Sequence, residues 1–136
     1  MRIPVLALIG LLAPGAATAG DLARFDGGWT VTVTCANAAG AMGFSYAFPG
    51  EARAGAFHAE RLHEGEPGWL VVDGAIDPDG GAKLYAKGLV GAAPFAVGQR
   101  PRGTPYGYHI DAHFDADHGE GRRVEGRPCD IGFARH

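Results

Sequence analysis

From Trp29 onward, apolar side chains recur at every second position, in short runs cut by glycine, proline and aspartate. A period of two belongs to strands with one buried and one wet face. The strictest run is Trp29-Thr30-Val31-Thr32-Val33-Thr34-Cys35, which sets Trp29, Val31, Val33 and Cys35 against three threonines. A second run, Gly43–Phe48, places Phe44, Tyr46 and Phe48 on one face, and a third covers Ala56–Leu62. Trp69–Ile76 and Ala82–Leu89 flank the turn Asp77-Pro78-Asp79-Gly80-Gly81 and predict a hairpin. On it Leu70, Val72 and Ile76 share a face, and Ala82, Leu84 and Ala86 point inward while Lys83, Tyr85 and Lys87 point outward.

A weaker strand is predicted over Phe95–Gln99, before the loop Arg100-Pro101-Arg102-Gly103-Thr104-Pro105. Tyr106–Phe114 is strong, with Tyr106, Tyr108, Ile110, Ala112 and Phe114 on one side. Two short strands, about Gly121–Val124 and Cys129–Ala134, close the run. Eight or nine short strands joined by short turns predict an all-β fold. The expected form is an antiparallel up-and-down meander closing into an eight-stranded barrel, with a β-sandwich as the alternative.

The chain holds 23 glycines in 136 residues, against a usual share of ~7%. They follow no period of three, so a collagen-like chain is excluded. The longest glycine-free stretches after residue 20, Trp29–Ala39 and Tyr108–His118, leave no room for several long helices.

The start of the chain reads differently. Arg2, the apolar stretch Ile3 to Ala13 and the small residues Ala17-Thr18-Ala19 form a secretory signal peptide over residues 1–19. Residues 20–136 are then one domain, periplasmic or secreted. No later apolar run is long enough to span a bilayer as a helix, so no membrane insertion of the mature chain is expected. Export allows the only two cysteines, Cys35 and Cys129, to pair. They lie near the two ends of the domain. Joining them can stabilise it by up to about 4–5 kcal/mol in the chain-entropy model. In a closed barrel the end of the first strand and the start of the last are neighbours, which fits that bond.

The formal net charge is −3, and no basic excess exists to release counterions from nucleic acid, which is excluded as a partner. Ser45 is the only serine and lies in a strand pattern, both cysteines are committed to a bridge, and the acids Glu64, Glu66, Asp77 and Asp79 fall in turns. The chain therefore does not read as an enzyme, and no cofactor is implied.

Three constellations remain. His109, Asp111, His113 and Asp115 project from one strand face, and His109 with His113 are candidate metal ligands needing a third from elsewhere; a solvated outer face is the alternative. Arg122, Arg123 and Arg127, joined by Arg100 and Arg102 if their loop lies at the same end, can hold a carboxylate or phosphate. The interspersed Glu120, Glu125 and Asp130 favour ordinary surface charge. Finally, Trp29, Phe44, Tyr46, Tyr106 and Tyr108 share an inner face with Ala82, Ala86, Gly88 and Gly91. A barrel of eight strands is just wide enough to be filled or to hold one small ligand. Trp29, Tyr46, Tyr106 and Tyr108 are the expected ligand-binding wall, with Arg100 and Arg102 at its rim; a filled aromatic core is the alternative.

The segments Phe25-Asp26-Gly27-Gly28-Trp29 leading to Cys35, Pro78-Asp79-Gly80, Gly103-Thr104-Pro105-Tyr106-Gly107-Tyr108, and Arg123 to Arg127-Pro128-Cys129 span nearly the whole predicted domain. On these the chain resembles a family of small exported bacterial two-cysteine β-domains of unknown function. The resemblance implies export and a two-cysteine β-domain, and carries no reaction or ligand. Gly27-Gly28-Trp29 is also similar to the opening strand of lipocalin and avidin-like barrels, an analogy of architecture alone. The expected function is a small-ligand-binding barrel for an apolar or aromatic-compatible molecule. The alternative is a structural or protein-interaction module of the cell envelope, and a His/Asp metal-binding protein stands behind both.

Overall fold

The computed structural model describes residues 19–136; residues 1–18, most of the expected signal peptide, lie outside the described residues. The strands are β1 (Gly27–Cys35), β2 (Phe44–Arg53), β3 (Ala56–Arg61), β4 (Leu70–Ile76), β5 (Gly81–Leu89), β6 (Pro105–Phe114), β7 (His118–Arg123) and β8 (Cys129–Arg135). Each pairs antiparallel with its successor, and β1 pairs with β8, which closes the barrel. The sandwich alternative is thereby set aside. Among the described residues no helix is long and apolar enough to cross a membrane.

The closing seam runs from Trp29 opposite Arg135 to Cys35 opposite Cys129. At its upper end the two cysteines form a disulfide across a sequence separation of 94, with Cα atoms 4.2 Å apart.

The alternation seen in the sequence is realised in space. Trp29, Val31, Val33 and Cys35 are buried along β1, and Tyr108, Ile110 and Phe114 along β6. The lower half of the barrel is solid. Trp29, Phe57, Phe114 and Phe133 meet there edge-on or tilted, with ring centroids 4.5–5.5 Å apart. That geometry suits the ring quadrupoles. Phe25, from a 3₁₀ turn at Ala23–Phe25, caps this cluster and is fully buried. Its carbonyl accepts a 2.8 Å bond from Trp29 Nε1. The Arg135 guanidinium straps the segment down by donating to the carbonyls of Arg24, Ala116 and Asp26.

Three predicted strands differ in extent. Phe95–Gln99 is not a strand but the end of one 3₁₀ turn, Ala93–Phe95, followed by another, Val97–Gln99. Pro94 initiates the first, Gly98 and Gln99 adopt positive φ, and the amides of Phe95, Ala96 and Gln99 are satisfied locally. β2 runs on past Pro49 to Arg53. Proline is tolerated there because β2 pairs with β3 only over Gly50–Arg53, so no ladder bond is lost on that side. β7 begins earlier than predicted because the turn after β6 is tight, with the Asp115 amide 2.7 Å from the His118 carbonyl.

Candidate functional site

The loop end of the barrel is open. A cavity of about 500 Å³ opens at the end where residues 36–43, 62–69, 90–104 and 124–128 form the loops. This volume lies within the usual range for small-molecule sites. Its walls come from inward positions near the strand ends: Phe44 and Tyr46 on β2, Arg61 on β3, Tyr106 and Tyr108 on β6, and Arg123 on β7. Tyr108 pairs across the ladder with Ala86, and Tyr106 with Gly88, where the Tyr106 ring and Leu70 take up the room a side chain at Gly88 would need.

The rings form two parallel stacks. Phe44 and Tyr46 lie 5.2 Å apart at 1°, and Tyr106 and Tyr108 6.2 Å apart at 11°. Guanidinium groups cover their faces: Arg61 lies 4.4 Å from the Tyr46 ring, Arg123 4.3 Å from Tyr108, and Arg127 5.3 Å from Phe44. Such placements are favourable by ring electrostatics. Burial pushes the Tyr46 and Tyr108 phenols far above their ordinary value, with the neighbouring tyrosines adding and Arg61 and Arg123, respectively, opposing. Tyr106 is raised as well, again chiefly by burial. All three are neutral hydroxyls at physiological pH, able both to donate and to accept.

Arg127 organises the mouth. Its Nη1 donates to the Phe95 carbonyl at 2.7 Å, and its Nη2 to Ala36 at 2.6 Å and Met42 at 3.2 Å. One side chain thus ties three loops together. The residue is 8% exposed, and among the described residues its buried Nε has no hydrogen-bond partner. Burial and the nearby Arg123 both lower its pKa. Among the described residues no aspartate or glutamate lines the cavity, and the ion pairs are made by Lys83 and by histidines, with no cavity arginine taking part.

The mouth is also apolar outside. Met42, Leu62, Phe95, Val97 and Val124 are 40–55% exposed, and all five sit in the loops at this end.

Of the expected ligand wall, Tyr46, Tyr106, Tyr108 and Arg100 line the cavity. Trp29 does not: it starts β1 at the opposite end and forms part of the solid floor, fully buried. Arg102 lies in the same loop as Arg100, exposed and off the cavity wall. Arg122 projects outward, while Arg123 and Arg127 of the same basic cluster reach the cavity. Arg61 carried no functional weight in the sequence reading. Its signal was present, since Phe57, Ala59 and Arg61 alternate on one face and continue the inner ladder into the mouth.

The expected metal pair does not converge. His109 and His113 stand four positions apart on the outer face of β6, about 13 Å along the strand, beyond the reach of one ion. His109 Nδ1 lies 2.6 Å from Glu125 Oε2, and His113 Nε2 3.8 Å from Asp115 Oδ1. No group of three or more His, Cys, Asp or Glu among the described residues is placed to hold a metal ion.

No family model matches the chain, and neither a curated protein nor a solved structure does.

Proposed function

We propose that this chain is a small-ligand-binding β-barrel, exported to the periplasm or beyond, that holds one apolar or aromatic-compatible molecule in its open end. One observation carries the reading: the base of the barrel is packed with aromatic rings, while its loop end opens into a cavity lined by the Phe44–Tyr46 and Tyr106–Tyr108 pairs and by small loop residues such as Gly91 and Ala92. A structural core would be filled throughout. The role is binding rather than catalysis. The single disulfide fits an oxidising compartment, and the resemblance to small exported bacterial two-cysteine domains points the same way.

Native mass spectrometry of protein purified from its producing cells tests the proposal, together with titration of 8-anilinonaphthalene-1-sulfonate. A discrete extra mass that disappears on denaturation, or dye binding that Tyr106→Ala weakens at unchanged melting temperature, is the expected result. A bare mass and no dye binding would overturn it. That outcome would favour the second reading, an interaction module of the cell envelope, which the exposed apolar side chains around the mouth support.

A further inference from the structure

Among the described residues, no acidic side chain lines the cavity or pairs with its arginines. Arg123 and Arg127 enter it from the same side of the barrel, one at the end of β7 and the other in the loop after it. Arg61 and Arg100 line it as well. Guanidinium groups drawn out of water are ordinarily paired with carboxylates. Here the donors are spent on backbone carbonyls and aromatic faces: Arg61 on Gly68, Arg123 on Glu125, and Arg127 on three carbonyls of two other loops. The buried Arg127 Nε is left over. Two arginines this close, with no acid on the wall, disfavour each other until an anion arrives.

Resting on the ligand-binding reading above, we propose that the ligand is an amphipathic acid, whose carboxylate sits against Arg123 and Arg127 and whose apolar body lies between the Phe44–Tyr46 and Tyr106–Tyr108 stacks. The division of labour follows from the walls. The arginines present forked donors suited to a carboxylate. The ring faces supply apolar area, and the neutral tyrosine hydroxyls can bond the second carboxylate oxygen. Burial first, and then the neighbouring Arg123, lower the Arg127 pKa, and a bound anion would oppose the second of these.

The test uses probes of the same carbon skeleton that carry a carboxylate or a neutral alcohol: decanoic acid against decan-1-ol, and 2-naphthoic acid against 2-naphthalenemethanol. Binding is measured by calorimetry at pH 7 in physiological salt on the oxidised protein. The acids are expected to bind about tenfold or more tighter than their alcohols. Arg123→Gln should remove most of that preference, weakening acid binding about tenfold more than alcohol binding. Arg127→Gln should do the same if its loops stay ordered; Arg123→Gln, which spares the loop clamp, decides if they do not. Equal binding of acid and alcohol would overturn the anion and leave the apolar-ligand reading standing. Binding of neither probe pair would overturn both.

Discussion

Gly74 on β4 faces inward, opposite Leu84 on β5. A methyl group there would lie 2.5 Å from the Lys83 carbonyl oxygen and 2.6 Å from a Leu84 methyl. Backbone cannot yield as a side-chain tip can, so the two strands would have to part. We expect Gly74→Ala to destabilise the barrel by about 1–3 kcal/mol in urea denaturation. Gly132→Ala, with nothing within 4 Å of its added carbon, should stay within about 0.5 kcal/mol. Single side chains are also where sequence reasoning succeeded and failed most plainly. Alternation assigned Tyr46, Tyr106 and Tyr108 to the inner face. It could not say how far up the barrel each inner residue sits, because height depends on register between strands. Trp29 and Tyr108 both point inward, yet one is floor and the other wall. Arg123 was named in a basic cluster able to hold a carboxylate or phosphate, yet beside its outward neighbour Arg122 and the nearby acids it read as surface charge.

Hairpins and loops show a similar division. The turn of Asp77-Pro78-Asp79-Gly80 was legible because each residue type there has a local reason. The segment 90–104 was not, because its course is fixed from a distance by Arg127 and by the Met42 amide on the Pro94 carbonyl. The β6–β7 turn carries a pH response of its own. Asp117 hydrogen-bonds His118 at 2.8 Å and raises its pKa above the ordinary 6.5, while His118 holds Asp117 below 3.8. The raised imidazole stabilises the turn below pH 6.5, and that contribution fades as pH rises through the folded value. The depressed carboxylate contributes above pH 3.8, and its share is lost as pH falls through its folded value. Both groups are exposed, so the response is local. NMR titration should find the His118 midpoint above 6.5, and Asp117→Asn should lower it; an unchanged midpoint would show that Asp117 is not the cause.

Seven of the eight strand pairs join sequence neighbours, and only the β1–β8 seam is long-range. The disulfide sits on that seam, where it shortens the search for the one contact that hairpins cannot nucleate. Replacing both cysteines by serine should cost about 4–5 kcal/mol in the chain-entropy model. Urea denaturation measures it, and a loss below about 1 kcal/mol would show that the unfolded chain is little constrained by the bond. The two cysteines and the strand count favoured a ring but left a sandwich as the alternative, which the β1–β8 pairing decides. That the ring is filled at only one end was not, since it depends on Phe25 folding back from outside the strands to seal the base.

The sealed base makes the barrel a cup and not a pipe. Among the described residues, Phe25, Trp29 and the aromatic layer beneath the cavity are buried and close the base. Under the proposed function, a ligand would have to leave by the opening it entered, past the loops that Arg127 ties together. Exchange would then be one out before one in, with no second molecule able to push the first out from below.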